Sequence, residues 1–251
     1  MTAPLFWAAP EVLAAAQSGV VLTLTGPEAR HAVVVQRLAV GEEVLVSDAA
    51  GSLVKGIVAA VVPGSAPVLE VMVRSVESAP PRIPELVLVQ ALAKHRYDEQ
   101  AVAAATQLGV DRIIPWQAAR SVPRWDAARA AKGRARWVQI TRTEGKVARR
   151  ARLPVVEDVL STGELAERVG PGGIVLLEGA PTSLAGALEG AAATTSALYL
   201  VVGPEGSIAP EELVLFETAG ALTARLGPEV LRTALAGAAA LVLASHLLGR
   251  W

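Results

Sequence analysis

The pattern of apolar and polar positions changes near residue 80. Before it, four short runs rich in β-branched residues are separated by Gly, Pro, Ser or Asp. These runs are 20–24, 42–48, 53–62 and 69–76. Several short strands with turn signals between them favour a small β-barrel. The stretch 78–84 then carries three prolines in seven residues, and proline continues neither a helix nor a central strand, so it reads as a domain linker.

After the linker, apolar strands alternate with helical patterns. A continuous apolar run at 85–92 precedes a helical pattern over 97–108, and a short strand follows at 112–116. A long basic helical region comes next, and further strands are predicted at 173–179, 197–203 and 221–227. This alternation predicts an α/β domain whose parallel sheet is covered on both faces. We therefore expect two domains, residues 1–78 and 79–251.

Composition narrows the class of protein. The chain has 251 residues, a formal net charge of −1 and no cysteine, which excludes a disulfide scaffold and a thiolate metal site. Three widely separated histidines argue against zinc, so no metal is expected. The longest apolar stretch, Ala234 to Leu248, is shorter than the ~20 residues of a membrane span. We expect a buried helix, no secretory signal, no membrane association and a cytoplasmic protein.

Glycine-bearing loops follow three strands of the second domain. They are Leu177-Glu178-Gly179, Gly203-Pro204-Glu205-Gly206 and the stretch from Leu226 to Thr233. Ligands of open α/β sheets bind beyond the carboxyl ends of strands, so three such loops favour a binding site, although each alone is more typical of an ordinary turn. Neither a P-loop nor a G-x-G-x-x-G fingerprint is present.

The charges after the second loop argue against a phosphate ligand. Pro210 suits a first helical position, and Glu211 and Glu212 then fall in the first turn, where carboxylates already complement the helix N-terminus. With Glu205 beside them, the loop suits a neutral or cationic ligand. S-adenosylmethionine, with its sulfonium and α-amino groups, is one such ligand.

The order of these motifs resembles a known family. GPEG after an apolar strand, followed by LGPEVLRT and an Ala-rich helix, resembles the SPOUT methyltransferases. More narrowly, HAVVVQRLAVGEEVLVSDAAG (31–51) and ATQLGVDRIIPWQAARS (105–121) resemble the RsmE family, which methylates N3 of a uridine in 16S ribosomal RNA of the small subunit. The matches extend over nearly the whole chain.

The resemblance implies a fold, a cofactor and an assembly. It implies a PUA-like β-barrel that binds RNA, a SPOUT domain with a deep trefoil knot, and a homodimer with each active site near the subunit interface. It also implies S-adenosyl-L-methionine as the cofactor. The residues that would bind it are Leu177, Glu178, Gly179, Val202, Gly203, Pro204, Glu205, Gly206, Leu226, Gly227, Val230, Leu231, Arg232 and Thr233.

A basic segment provides candidates for RNA contact. Residues 120–152 carry eleven Lys/Arg and two acids, whereas the rest of the chain carries 12 basic and 22 acidic residues. Such a block is typical of a polyanion-binding surface or of a solvated helix face. Helical spacing predicts one face shared by Arg142, Lys146, Arg149 and Arg150. Further candidates are Arg120 and Arg124, with Arg30, His31 and Arg37 in the first domain, where His31 suits a structural role equally well.

Uridine N3 carries a proton at neutral pH, so its methylation needs a base and stabilisation of negative charge. Arg232 is the candidate for the charge, or else forms an ion pair with Glu205 that holds the loop. Glu205 is the candidate base, or else holds the cofactor's amino group, and His95 is an alternative base.

Four positions depart from the family pattern: Gln107 and Ala234 replace an acid, Ser207 replaces a glycine, and Val147 stands where a polar residue is usual. They leave two hypotheses, an active rRNA uridine-N3 methyltransferase and a binding module with weak or no activity. A related rRNA methyltransferase with a different target, such as a ribose 2′-O-methyltransferase, is less consistent with the barrel and the LRT loop.

Overall fold

The structure, a computed structural model, describes residues 3–192 and 195–251. The first two residues of the segment assessed for a secretory signal therefore lie outside it. The chain divides into two compact units. Unit 1 contains the described residues up to Pro81 together with Gly145–Leu153, and unit 2 contains Arg82–Glu144 and the described residues from Pro154 onward. The pattern of the sequence did not indicate that Gly145–Leu153 belongs to unit 1.

Unit 1 is built on one five-stranded sheet in the order β1-β3-β4-β5-β2. Strand β1 pairs parallel to β3, and the remaining pairs are antiparallel. A π-helical turn spans His31–Val35. The elements are β1 (Leu5–Trp7), α1 (Pro10–Ala14), β2 (Val21–Leu24), α2 (Gly26–Arg30), β3 (Glu43–Ser47), β4 (Ser52–Val62) and β5 (Val68–Ser78).

Alternation along the strands builds the core of unit 1. Leu69, Val71 and Val73 of β5 all point into the core and are at most 1% exposed, as a period of two requires. Gly56 of β4 packs closely against Val71 of β5. An added Cβ at Gly56 would stand 2.5 Å from the Val71 Cγ1 atom, so this position has no room for a side chain. The four predicted strand runs are thus confirmed as β2 to β5, but the described strands form a half-barrel sheet, and a closed barrel is not confirmed.

Unit 2 contains a parallel sheet in the order β12-β10-β11-β6-β7-β8, with β9 also paired to β7. Short 3₁₀ turns span Lys94–Arg96 and Gly170–Gly172. Its elements are β6 (Glu85–Ala91), α3 (Tyr97–Gln107), β7 (Arg112–Gln117), α4 (Ala127–Val147), β8 (Val155–Val156), β9 (Leu160–Ser161), α5 (Thr162–Val169), β10 (Gly173–Leu176), α6 (Leu184–Ala192), β11 (Ala197–Val202), α7 (Pro210–Thr218), β12 (Leu222–Ala224) and α8 (Thr233–Leu247). Helix α4 continues three residues past Glu144 into the segment assigned to unit 1.

Both faces of this sheet are buried, as the continuous apolar strands predict. Leu86 and Leu88 of β6 pack into one cluster with α3, α6 and α8. Val87 and Val89 pack into a second cluster on the other face, with α5 and α7. The helices therefore lie on both faces of a parallel sheet, and the predicted α/β class is confirmed.

The close fit of α8 explains its small residues. Gly237 lies on the sheet side of the helix, where an added Cβ would stand 2.8 Å from Leu88 Cδ1. Ala240 and Ala244 of the same helix are fully buried. No helix within residues 3–192 and 195–251 combines the length and the apolar character needed to cross a membrane.

Candidate functional site

The three predicted loops meet at one cavity of about 460 Å³ in unit 2. They meet because β12, β10 and β11 are neighbours in a parallel sheet, so their carboxyl ends lie side by side at one edge. Of the predicted cofactor residues, twelve line the cavity: Leu177, Glu178, Val202, Gly203, Pro204, Glu205, Leu226, Gly227, Val230, Leu231, Arg232 and Thr233. Gly179 and Gly206 do not belong to the lining.

The loop after β11 is shaped by close approach and by one strained residue. An added Cβ at Gly203 would stand 2.6 Å from Cγ1 of the buried Ile208, so this position has no room for a side chain. The Gly206 carbonyl accepts a hydrogen bond from Arg120 Nη1 at 3.1 Å. Ser207 has a φ of +62°, a left-handed conformation that favours glycine. The replacement of the family's glycine by Ser207 therefore strains the backbone.

A buried hydrogen-bonded chain joins two of the loops to the sheet. Thr233, the first residue of α8, donates from Oγ1 to the Gly203 carbonyl at 2.7 Å. Gln90 at the end of β6 donates from Nε2 to Thr233 Oγ1 at 2.9 Å. Both side chains are buried. Sequence reasoning missed Gln90, which its place at the end of a buried strand beside β11 would have indicated.

The loop from Leu226 to Arg232 presents mostly exposed side chains to the cavity. Val230 is 68% exposed and Leu231 is 37% exposed. Arg232 occupies the N-cap position of α8, and its Cζ lies 5.9 Å from the ring centroid of Tyr97. Among the described residues Arg232 makes no ion pair with Glu205, so the alternative role suggested for Arg232, an ion pair that holds the loop, is wrong.

The loop after β10 contributes Leu177 and Glu178 to the cavity lining. Leu177 donates its backbone N–H to the Ala224 carbonyl at 3.0 Å, which ties the loop to β12. Glu178 is exposed and lines the cavity. Gly179 has a φ of +76° and lies outside the cavity lining. Its role is therefore to let the backbone turn after Glu178 rather than to line the cavity.

Glu212 does not contribute to the charge of the cavity, contrary to the expectation from the helix after the second loop. Pro210 does begin α7, but Glu212 is buried and faces away from the cavity. Its carboxylate accepts hydrogen bonds from Ala119 N, Thr162 Oγ1 and Ala209 N at 2.8, 2.6 and 3.1 Å. The charged groups that line the cavity are instead three acids and two arginines: Glu178, Glu205, Glu229, Arg225 and Arg232.

The segment after β6 also reaches the cavity. Glu205 Oε1 accepts a hydrogen bond from the Lys94 backbone N–H at 2.9 Å. His95 and Arg96 follow with φ values of +53° and +59°, which bring Tyr97 into the cavity lining. His95 is exposed, stacks edge-on against Tyr97 with centroids 5.8 Å apart, and is not part of the lining.

Asp98 caps this segment. Its carboxylate accepts hydrogen bonds from the backbone N–H groups of Ala93 and Glu99 at 3.2 and 2.8 Å. Burial raises the pKa of Asp98 above its ordinary value, although these two hydrogen bonds oppose the rise. The turn at His95 and Arg96, which has two left-handed residues, is therefore held by hydrogen bonds to Glu205 on one side and to Asp98 on the other.

The prediction that Arg142, Lys146, Arg149 and Arg150 share one helix face is wrong. Helix α4 ends at Val147, because Arg149 adopts a left-handed φ of +50°. Lys146, Arg149 and Arg150 lie in the segment that belongs to unit 1, whereas Arg142 lies in unit 2. Lys146 Nζ binds both carboxylate oxygens of Glu28 at 2.8 and 2.7 Å.

Acids, both within the basic segment and from distant parts of the chain, pair with several of its cations. Arg136 pairs with Glu99 at 3.2 Å, Arg134 with Asp158 at 3.4 Å, and Arg129 with Asp126 at 3.6 Å. Two other RNA candidates hold backbone carbonyls. Arg124 donates to Ala118 and Ala119 at 3.3 and 2.7 Å, and Arg120 donates to Gly206 as described.

The remaining RNA candidates lie in unit 1 around the π-helical turn. His31 begins the turn, packs edge-on against Phe6 with centroids 6.2 Å apart, and its Nε2 lies 3.0 Å from Gln36 Nε2. Arg30 and Arg37 are exposed. The packing of His31 gives it a structural place, while the two arginines remain available at the surface.

The family departures lie mostly away from the cavity. Gln107 donates from Nε2 to Glu144 Oε2 at 2.6 Å, where a glutamate would meet a like charge. Val147 is 66% exposed at the end of α4, and Ala234 is buried in α8 outside the lining. Of the four departures, Ser207 alone lines the cavity.

Known proteins resemble this chain over most of its length. A family model described as an RNA methyltransferase domain matches residues 80–245. The ribosomal RNA small subunit methyltransferase E of Mycobacterium bovis is 41% identical over 240 residues, covering 93% of this chain and 89% of that protein. The protein of the same name from Bacillus subtilis is 28% identical over 218 residues, covering 84% of each chain.

Solved structures have the same fold. The crystal structure of a ribosomal RNA small subunit methyltransferase E from Neisseria gonorrhoeae bound to S-adenosyl methionine superposes with a TM-score of 0.80, 22% identity and 98% coverage of both chains. That identity supports the fold alone. The family model and the Mycobacterium relative carry the assignment, and the chain belongs to the RNA methyltransferase family, in the branch of ribosomal RNA small subunit methyltransferase E.

Proposed function

We propose that this protein transfers a methyl group from S-adenosylmethionine to N3 of a uridine in 16S ribosomal RNA of the small subunit. The observation that carries the proposal is the meeting of the three loops with Arg232 at one cavity. A substrate in the ribosomal subunit implies a cytoplasmic enzyme. The relatives named above support the substrate class, and the family resemblance supports the position on the base.

The cavity suits the cofactor in size and chemistry. Its volume of about 460 Å³ falls within the ~300–1,000 Å³ usual for small-molecule sites. Leu176, Val202 and Leu226 offer apolar contacts for an adenosine. Glu178 offers a carboxylate for the α-amino group of the cofactor. The predicted cofactor residues, including Gly179 and Gly206 beside the lining, would bind it mainly through loop backbone.

Arg232 is proposed to stabilise the charge that develops on the base. S-adenosylmethionine supplies an electrophilic methyl group, and removal of the N3 proton spreads negative charge over the flanking uracil oxygens. Arg232 is the N-cap residue of the 15-residue helix α8, whose N-terminus adds positive potential to this end of the cavity. Removing one such donor typically lowers kcat about 10²–10³-fold.

Glu205 is proposed as the base that accepts the N3 proton. It lines the cavity, whereas His95 does not, although both follow strands at the same sheet edge. The Lys94 N–H holds one carboxylate oxygen of Glu205, which fixes the direction of the side chain. A general base has to lie within hydrogen-bond reach of the proton that it removes, and this favours Glu205 over His95.

RNA contacts and assembly follow from the same proposal. We propose as RNA-binding residues the basic candidates of both units: Arg30, His31, Arg37, Arg120, Arg124, Arg142, Lys146, Arg149 and Arg150. We also propose a homodimer, supported by exposed apolar side chains in unit 2 such as Val230, Leu235 and Val242. The PUA-like barrel and the deep trefoil knot remain part of the proposal.

Methyl transfer to small ribosomal subunits tests the proposed reaction. Subunits from a strain lacking this gene are incubated with the protein and labelled S-adenosylmethionine, and modified nucleotides are mapped. We expect one N3-methyluridine in 16S rRNA. Cofactor binding without any N3-methyluridine would refute the enzymatic proposal and leave the binding module, and a label on a ribose oxygen would indicate a different target.

A further inference from the structure

We infer that Tyr97 is a positioning residue for Arg232, holding its guanidinium over the edge of the cavity where the target base is to be methylated. The inference rests on the proposed function, because Arg232 is assigned its role there. No loop motif of the sequence marks Tyr97, which begins α3 after strand β6, whereas Arg232 follows strand β12.

The first observation is the contact between the two side chains. Arg232 Cζ lies 5.9 Å from the Tyr97 ring centroid, and both residues line the cavity. A guanidinium at this distance from an aromatic face is attracted by the ring quadrupole. Arg232 is exposed at the N-cap of α8, so the Tyr97 ring limits the directions that an otherwise mobile side chain can take.

The second observation is the construction of the segment that carries Tyr97. His95 and Arg96 both adopt left-handed φ values, which are rare and costly for residues other than glycine. Such strain persists only where neighbouring contacts over-determine the conformation. Here the Lys94 N–H is held by Glu205, and Asp98 accepts from Ala93 and Glu99.

These anchors link Tyr97 to the proposed catalytic pair. Glu205, the proposed base, fixes the start of the segment, and Tyr97 at its end contacts Arg232, the proposed charge stabiliser. One rigid turn therefore sets the direction of both groups around the target base. A static guanidinium needs no reorganisation as charge develops, which is the benefit that Tyr97 would bring to the reaction.

A double-mutant cycle on Tyr97 and Arg232 tests the inference. The full-length protein, wild type and variants, is saturated with S-adenosylmethionine and mixed with small subunits, and the single-turnover rate constant of methyl transfer is measured. Cofactor Kd by calorimetry and the thermal midpoint are measured in parallel. The variants are Tyr97→Phe, Tyr97→Leu, Tyr97→Met, Arg232→Met and the double change Tyr97→Leu with Arg232→Met.

We expect Tyr97→Phe to retain the rate within about twofold, because phenylalanine keeps the aromatic face. Tyr97→Leu and Tyr97→Met should lower the rate constant about two- to fivefold, the range for a cation–π contact at a partly exposed site, with cofactor Kd unchanged. In the Arg232→Met background, Tyr97→Leu should lower the rate no further, because Tyr97 acts through the guanidinium. Tyr97→Met remains interpretable if the leucine variant is unstable.

Three results would overturn the inference. One is a Tyr97→Leu rate equal to that of an active wild type, and another is an effect of Tyr97→Leu that is undiminished in the Arg232→Met background. The third is a cofactor Kd raised tenfold by Tyr97→Leu, which would assign Tyr97 to cofactor binding. A wild-type protein that transfers no methyl group refutes the proposed function itself, and the role of Tyr97 with it.

Discussion

The cavity loops and the basic segment were both predicted from residue patterns, but only the loops come together at one place in the structure. The loops after β10, β11 and β12 come together at one cavity, with twelve predicted residues in its lining. The basic residues of 120–152 are divided between two units. Several of them are paired with acids that lie up to 118 positions away, as in Lys146 with Glu28.

The difference lies in what each pattern encodes. Strand ends of a parallel sheet meet because the topology brings them to one edge, so a local motif predicts a shared position. A run of basic residues does not indicate which acids pair with it, since several of those acids, such as Glu28 and Glu99, lie outside the run. Glu205 and Glu212 illustrate this within one loop region: the first lines the cavity, and the second is buried under three hydrogen bonds.

The largest expected effect concerns the backbone of the second loop. Gly203→Ala places a Cβ 2.6 Å from Ile208 Cγ1, so the loop or the buried Ile208 has to shift. We expect the Kd for S-adenosylmethionine, measured by calorimetry, to rise about five- to 150-fold, since overpacking costs typically about 1–3 kcal/mol. Gly186→Ala in α6 is the control, because its Cβ would meet only ordinary contacts at 3.5 Å. Equal cofactor affinity in both variants would contradict the proposed importance of this close approach.

The two neighbouring acids of α7 give the next contrast. Glu212→Gln removes a buried charge that accepts three hydrogen bonds, and one amide hydrogen would then face a donor. We expect the free energy of unfolding to fall by about 1–3 kcal/mol. Glu211→Gln at the exposed neighbouring position should change it by less than about 0.5 kcal/mol. Denaturant unfolding measures both, and comparable losses would show that Glu212 is not the structural acid that its contacts indicate.

The basic segment should separate into structural and RNA-contacting residues. Arg142→Ala with Arg149→Ala should weaken RNA binding and lower the slope of log K against log salt by about 1 to 1.5. Lys146→Ala should instead lower the free energy of unfolding by about 1–2 kcal/mol, because it leaves the half-buried Glu28 without its cation. Binding titrations at several salt concentrations and denaturant unfolding measure the two effects. An unchanged salt slope in the double variant would mean that these two arginines do not contact the RNA.

The smallest effect is the pH dependence at Asp98. Burial raises the pKa of the folded state, so the unfolded chain releases the proton first as pH rises. Relative to Asp98→Asn, the wild type should therefore be most stable below the ordinary aspartate pKa of about 3.9, and should lose stability as pH rises through the higher folded-state pKa. Unfolding of both proteins across this pH window measures the difference. If the free energy of unfolding of the wild type, relative to that of Asp98→Asn, increased with pH, the raised pKa of Asp98 would be contradicted.

Much of the fold could be predicted from the sequence. Continuous apolar runs such as 85–92 and 197–203 identify strands buried on both faces, and both are observed as β6 and β11. The end of α4 could not be predicted in the same way. Arg149 adopts a left-handed conformation, and arginine, unlike glycine or asparagine, does not signal that conformation in a sequence. The assignment of Gly145–Leu153 to unit 1 could not be predicted either. It depends on tertiary contacts, such as the hydrogen bond that Ser47 Oγ donates to the Ala151 carbonyl at 2.9 Å.

The candidate site was predictable to the extent that it is made of loops. Gln90 and Tyr97 were missed because neither belongs to a glycine motif. Both reach the site from β6, the strand beside β11, and a neighbour in a sheet is known only once the strand order is known. The interior position of Glu212 was missed for a related reason, since its donors Ala119 and Thr162 come from distant segments.

A crystal structure of the protein with S-adenosylmethionine tests the central claim most directly, namely that the three loops form one cofactor site. The account predicts the cofactor in the cavity, in contact with backbone of Leu177, Gly203 and Leu231, and with its methyl group toward Arg232. Cofactor bound elsewhere on the chain, or a cavity closed to it while methyl transfer persists, would contradict the account.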